Sequence, residues 1–348
     1  MRYKRRSLDG FFNNNLKIEN FEKKRNKFSK FQTILGEGNS ISKLPYVKNI
    51  KAIKLISKNF FKINKKKKIL EVNGNATIGD IHNFLLNKKY YCHYFPSYPY
   101  VTVGACIANG VHGFIPKKGI FTDFIVEIKL YNPNFGTKIL SNKKNKSLFD
   151  LTKCGLGLTG IILSAKMKIF DLKSTEITIK NYNFNNILDC YNFMKKSKTI
   201  YNQNSFTVNY SKNKIFLGRL IVGSFKSKKI KYKHISNNKI SKIRLGIFKY
   251  QKIKNLFFNI IFFLEKIKVS LNNKQHINDI MFTSNKRTSY FLFMPNKFIE
   301  YQNLIPNYNV EKYLQEFEKI LKIYQPNISL MHLKLFDKNG KNLEFKEK

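Results

Sequence analysis

Between Thr102 and Gly113 the chain reads TVGACIANGVHG, and Gly104, Ala105, Cys106, Ala108, Gly110 and Gly113 all carry small side chains. Such a run offers neither an apolar stripe at helical spacing nor strand alternation, so an irregular segment is expected, neither a standard helix nor a strand. Glycine lets a backbone come close to another group and take φ > 0, and successive N–H groups can form an anion-binding nest. Two further segments share this character: LGEGNS, with Gly36 and Gly38, and GLGLTG, with Gly155, Gly157 and Gly160. Each alone reads most simply as a turn. Three in the first half of one chain, separated by strands and helices, suit a long ligand with a pyrophosphate at its middle. None is a GxGxxG that opens a helix after a strand, so the fingerprint of the Rossmann fold is absent.

The elements around these segments are readable. KILEV from Lys68 alternates as a strand. Thr77 with Asp80 looks like a capping box on a helix whose Ile78, Ile81 and Leu85 share a face. YYCHYF reads as a second strand ended by Pro96. Phe124 to Tyr131 and TKIL make a hairpin through NPNFG, and Ser147 with Asp150 suggests a capping box on a short helix. IILSAKMKI is a strand with Ala165, Met167 and Ile169 on one face. After Phe170 glycine thins out, which places a domain boundary near Asp171. Residues 242 to 268 are both basic and apolar, as in a surface or mobile segment. Val310 to Tyr324 is the clearest helix, and ISLMHLKLF after Pro326 reads as a strand. The aromatic stretches at 255–263 and 290–293 read as core or lipid-facing surface.

The formal net charge is +44, from 65 lysines and arginines against 21 acidic residues. Only seven of the cations are arginine, the residue that reads phosphate and guanine bidentately, so a dedicated nucleic-acid binder is disfavoured. Attraction to anionic surfaces, lipid head groups among them, is expected. Cys92, Cys106, Cys154 and Cys190 have no CxxC or metal-ligand spacing, which points to a reduced cytosolic setting with no metal site. The basic start lacks an apolar h-region, so no signal peptide is expected. The apolar run from Leu256 to Leu264 is too short to span a bilayer.

The segment FPSYPYVTVGACIANGVHG resembles the FAD-binding stretch of flavin oxidases related to vanillyl-alcohol oxidase, and looks most like the branch that contains decaprenylphosphoryl-ribose oxidase. The chain keeps VTVG at Val101 to Gly104, IA at Ile107 and Ala108, and HG at His112 and Gly113. GLTGII at Gly157 to Ile162 resembles the second flavin-contacting run, and LGEGNS sits where the family has its pyrophosphate loop. MHLKLF resembles the strand that carries a lysine at the flavin, here Lys334. The resemblance implies an α+β flavoprotein of two domains: a PCMH-type FAD-binding domain over 1–170 and an antiparallel-sheet substrate domain over 171–348. FAD would be held without a covalent link by Gly36, Glu37, Gly38, Asn39, Ser40, Ser97, Thr102, Val103, Gly104, Ala105, Asn109, Gly110, Val111, His112, Gly113 and Ile161. Lys334 would be the catalytic residue.

The implied reaction is oxidation of a hydroxyl on a sugar-like or polyprenyl-phosphate-linked sugar, by hydride transfer to flavin N5. A separate reductase partner and peripheral contact with the inner face of the cell membrane follow from the same likeness, as does a role in cell-envelope polysaccharide synthesis. The chain departs from the branch at Ile41, where a tyrosine is usual, and at Phe114, Ile115 and Pro116, where polar residues and histidine are common. It also ends soon after the KLF strand, so a shortened second domain is expected. A different class of function remains open: a non-catalytic basic binding protein or a degraded flavoprotein fragment.

Overall fold

A computed structural model of the chain describes residues 2–6, 13–24, 33–40, 51–113, 115, 118–197, 201–225, 228–235, 246, 249–271, 273–283 and 298–336. Ile41, Phe114, Pro116, residues 242–245 and the aromatic stretch at 290–293 lie outside them.

The protein is α+β with largely antiparallel sheets. Five antiparallel strands line up in the order Phe61–Asn64, Ile69–Asn73, Ile161–Lys168, Ile125–Asn132 and Gly136–Ser141. Alternation puts Leu70, Val72, Ile128, Leu130, Ala165 and Met167 on the buried side. The helix Ile78–Asn87 starts where Thr77 Oγ1 accepts from the Asp80 amide at 3.2 Å, and Ile78, Ile81 and Leu85 are fully buried, as their spacing predicts.

A second antiparallel sheet orders Tyr201–Val208, Phe216–Ser224, Glu176–Phe184 and Lys274–His276. Its strand Glu176–Phe184 serves two cores by alternation. Ile177 and Ile179 join Leu70, Ile128 and Met167, while Tyr182 and Phe184 pack with Phe206, Val208, Leu220 and the helix Ile187–Lys196 on the other side. The first core therefore runs on past Asp171, where Phe170 and Asp171 pair with Tyr91 and Tyr90. A smaller sheet sets Ala52–Lys54 parallel to both Asn13–Asn20 and Thr33–Ile34.

Four local expectations need correction. The run from Val103 to Ala108 is a short α-helix, capped by Thr102. It has no apolar stripe because it is packed on nearly all sides. Of YYCHYF only Tyr90–Tyr91 is strand; Cys92, Tyr94 and Phe95 are all fully buried, which strict alternation forbids, and Tyr94 stacks on Phe124 at 4.3 Å. The helix Lys146–Thr152 begins at Asn145 with φ 52° rather than at Ser147. ISLMHLKLF runs extended, but joins the second sheet through one bridge, Met331 to Phe206. The helix Val310–Tyr324 forms as expected and ends at Gln325 before Pro326.

Candidate functional site

The three glycine-bearing segments converge on the helix Val103–Ala108. A Cβ on Gly36 would lie 2.9 Å from Thr102 Oγ1, and Asn39 Nδ2 donates to Tyr100 O at 2.7 Å, so the loop Leu35 to Ser40 lies along the helix start. Glu37 in that loop pairs with Lys54 at 2.7 Å, Gly38 takes φ 65°, and Ser40 is exposed. At the other end, Cys154 N donates to Ile107 O at 2.9 Å and Leu156 N to Ala108 O at 2.8 Å, which seats the third segment on the helix C-terminus. Asn109 closes the helix, its side chain donating to Ala105 O at 2.9 Å. Ser97 is half-buried on the approach to the helix.

The small side chains have a reason within the protein itself. Gly104 N donates to Gly74 O at 2.8 Å, and a Cβ there would sit 3.2 Å from that same oxygen. At Gly110 a Cβ would fall 2.2 Å from Cys154 Sγ, and at Gly113 within 3 Å of backbone atoms of His93, Tyr94 and Phe95. These positions are small so that protein packs on protein. The helix's first amides are also engaged: Val103 N with Ala76 O, Gly104 N with Gly74 O, Ala105 N with Thr102 Oγ1, and Cys106 N with Thr102 O. Val111 and Ile161 likewise face inward. Val111 N donates to Cys106 O, and the Ile161 side chain is buried with Phe21, Ile53 and Leu55. The helix Val103–Ala108 thus spends its first amides within the protein and acts as the scaffold on which the 36–40 loop lies.

From this scaffold His112 projects toward the far end of the chain. Its Nε2 lies 3.2 Å from Lys334 Nζ, and its Nδ1 3.1 Å from Gly113 O. One protonation state satisfies both contacts: Nδ1–H donates to Gly113, and the Nε2 lone pair accepts from the lysine. Burial and the Lys334 charge push the His112 pKa down to about 4, so the ring is neutral near pH 7. Burial also lowers Lys334 to about 8, with the Glu300 carboxylate pulling the other way. His332 is lowered for the same first reason, with Lys334, Glu300 and Arg219 all close enough to act on it. Phe336 meets the His112 ring edge-on at 5.8 Å.

His332 and Lys334 keep exposed surface, yet protein crowds them densely enough to depress both pKa values. Both alternate with Met331, Leu333 and Leu335, which pack on the Phe206 core, and so belong to the opposite side of the second sheet. Arg219 reaches Ser205 Oγ at 3.4 Å there, and burial lowers its pKa to about 10. Both amide atoms of Asn181 are buried and have no hydrogen-bond partner among the described residues.

Sequence reasoning missed what holds Lys334 in place. Asn204 is buried, donates from Nδ2 to Leu333 O at 2.6 Å and accepts from Leu333 N at 2.7 Å, while His332 Nδ1 donates to Asn204 O at 2.5 Å. Its carboxamide replaces the ladder partner that the short strand lacks. One signal was available: Asn204 falls in phase with Phe206 and Val208, a polar residue at an apolar beat of the strand. Lys254 was missed as well. It is fully buried and donates to Gln251 Oε1, Asn327 Oδ1 and Ile328 O, fixing the start of the same segment.

No family model matches the chain. It is similar to D-arabinono-1,4-lactone oxidase of Candida glabrata, 30% identical over 112 residues, which cover 31% of this chain and 21% of that protein. It is also similar to the mitochondrial L-galactono-1,4-lactone dehydrogenases 1 and 2 of Oryza sativa subsp. japonica, each 27% identical over 106 residues, or 30% of this chain and 18% of theirs. The matched stretch spans about a fifth of the length of these relatives. These three relatives are sugar-lactone oxidoreductases.

Proposed function

We propose that the chain is an FAD-dependent oxidoreductase that oxidises a hydroxyl-bearing carbon of a sugar-like substrate. The observation that carries this reading is the meeting of Lys334 with His112, which joins the end of the small-residue run to the group Arg219, His332 and Lys334. Similarity to sugar-lactone oxidoreductases supports the reaction class. FAD, when bound, would supply the hydride acceptor.

The chain's own residues would bind, orient and move a proton. The loop Gly36 to Ser40 would face the pyrophosphate, and the segment Thr102 to Gly113 would hold the ring system through backbone and the His112 edge. With a pKa of about 8, the Lys334 amine is within reach of its base form at neutral pH and would take the substrate hydroxyl proton at Nζ. Neutral His112 would accept a hydrogen bond from the resulting ammonium and keep it aimed. Arg219, Ser205 and Asn181 would supply the donors and acceptors that a polyhydroxylated ring needs. Sugar lactones and lipid-linked sugars are the substrate classes to try.

The test starts with colour. The purified chain should show a flavin absorption band, and acid precipitation should release the yellow colour into the supernatant, because the loop Leu35 to Ser40 has no histidine to link the ring. Anaerobic bleaching by one member of a sugar-lactone and polyprenyl-phosphate-sugar panel should follow. A colourless protein that takes up no added FAD would overturn the reading in favour of a non-catalytic basic binding protein.

A further inference from the structure

We propose that the helix Gln251–Leu271 docks the protein on an anionic lipid bilayer, with its exposed apolar side inserted among the head groups. Among the described residues the helix is seated by one side and uncovered on the other. Phe258 is buried against Leu217 and Leu330, and Lys254 is locked to Asn327 and Ile328. Away from those contacts, Leu256, Ile260 and Phe263 are 61%, 49% and 64% exposed, with Ile253, Leu264 and Ile267 beside them. Steps of three and four residues align these side chains in one ridge about 20 Å long, at 1.5 Å per residue. Among the described residues no helix is long and apolar enough to cross a membrane. A helix of this kind lies in the interface, its apolar side about 5–10 Å deep.

Charge decides the occupant. The chain carries a net +44, with Lys249 and Lys252 exposed at the start of the ridge. A second copy seated face to face would bring two such fields together, whereas an anionic leaflet offers apolar interior and countercharge in one partner. Aromatic residues suited to the head-group level stand alongside: Tyr250 directly before the helix and Tyr301 on the segment whose Phe298 packs against Phe258. Ile299 and Tyr301 are 83% and 81% exposed, and Glu300 between them acts on Lys334 and His332. The docking face therefore lies near Lys334 and His332, where a lipid-linked substrate would arrive. Docking itself does not rest on the proposed reaction, and its test reads no activity.

The chain contains no tryptophan, so Phe263→Trp supplies a single reporter. Vesicles of phosphatidylcholine with 30 mol% phosphatidylglycerol should blue-shift its emission at physiological salt and carry the protein into the pellet; phosphatidylcholine alone should do so far less. The triple variant Leu256→Gln, Ile260→Gln, Phe263→Gln keeps the charge and should lose about tenfold or more in vesicle partition. These side chains are exposed, so an unchanged circular dichroism spectrum is expected. Undiminished binding by the triple variant would overturn the proposal, since lysine attraction alone would then account for it. So would dimerisation in lipid-free sedimentation that the triple variant abolishes, which would give the ridge to a second copy. An emission that stays unshifted with the anionic vesicles would also overturn it.

Discussion

Lys334 Nζ lies 3.2 Å from His112 Nε2, across 222 residues of sequence, so the last described segment of the chain closes over the end of its small-residue run. Burial lowers both pKa values, and at His112 the Lys334 charge adds to it: about 4 for the imidazole and about 8 for the amine. At neutral pH the ring accepts and the lysine donates. Above about pH 8 the amine is free to take a proton, which fixes the sign of the pH dependence.

If the amine is the base, anaerobic flavin bleaching by substrate rises with pH through about 8 and then levels off. Lys334→Ala should keep FAD bound, lose ~10²-fold or more in bleaching rate and lose the step near pH 8. Lys334→Arg separates charge from proton transfer, because it stays cationic over this range and should not restore the rate. Equal bleaching rates in wild type and Lys334→Ala, at matched flavin content, would leave the base unassigned.

The clamp at Asn204 gives a second handle on the same lysine. Asn204→Ala leaves both Leu333 backbone groups without their partner and should cost about 2 kcal/mol of stability. Because Lys334 follows directly, the variant should also slow bleaching while flavin content stays near wild type. The measurement is a denaturant midpoint alongside the bleaching rate. A variant that is less stable but bleaches at the wild-type rate would show that Lys334 is positioned by other contacts.

Much of the first sheet was legible because its chemistry is local. Alternation marked Ile69–Asn73, the hairpin at Asn132 to Gly136 and Ile161–Lys168, and Thr77 with Asp80 marked a helix start. The helix Val103–Ala108 was not, since small residues carry no apolar periodicity and its stability comes from Gly74, Ala76 and Cys154 pressed against it. Gly104 was expected to be small for a ligand's sake, yet it faces Gly74 O and Ile162. Gly104→Val should therefore lower the melting temperature of the flavin-free protein, not only empty the site. His112 and Lys334 could each be picked out by motif. Their contact, like the Asn204 clamp, depends on long-range pairing that no local pattern encodes.

Gly110 and Cys154 should behave as one unit. A Cβ at Gly110 would fall 2.2 Å from Cys154 Sγ, and both residues have left-handed backbones, with φ 56° and 61°. Gly110→Ala alone should be severely destabilising. Cys154→Gly removes the obstructing sulfur and suits its own φ, so the double variant should recover part of the loss, a coupling of about 1 kcal/mol or more. Strict additivity of the two single variants in urea unfolding would refute the close approach.

His82 sets the expected acid limit of the fold. It is fully buried beneath Phe282, its Nε2 2.8 Å from Asn278 Oδ1, and burial lowers its pKa from 6.5 to about 4. The neutral ring donates Nε2–H to Asn278. Between about pH 6.5 and about 4 the unfolded chain binds a proton here that the folded chain refuses, so stability should fall as pH drops through that window. His93 and His112, also lowered to about 4, act in the same direction. His82→Gln can still donate to Asn278 but does not titrate. Thermal melts from pH 7 to pH 4.5 should therefore show a shallower loss for His82→Gln than for wild type, even if the variant is less stable at pH 7. Parallel curves would mean that the loss in this window is set elsewhere, by His93 and His112.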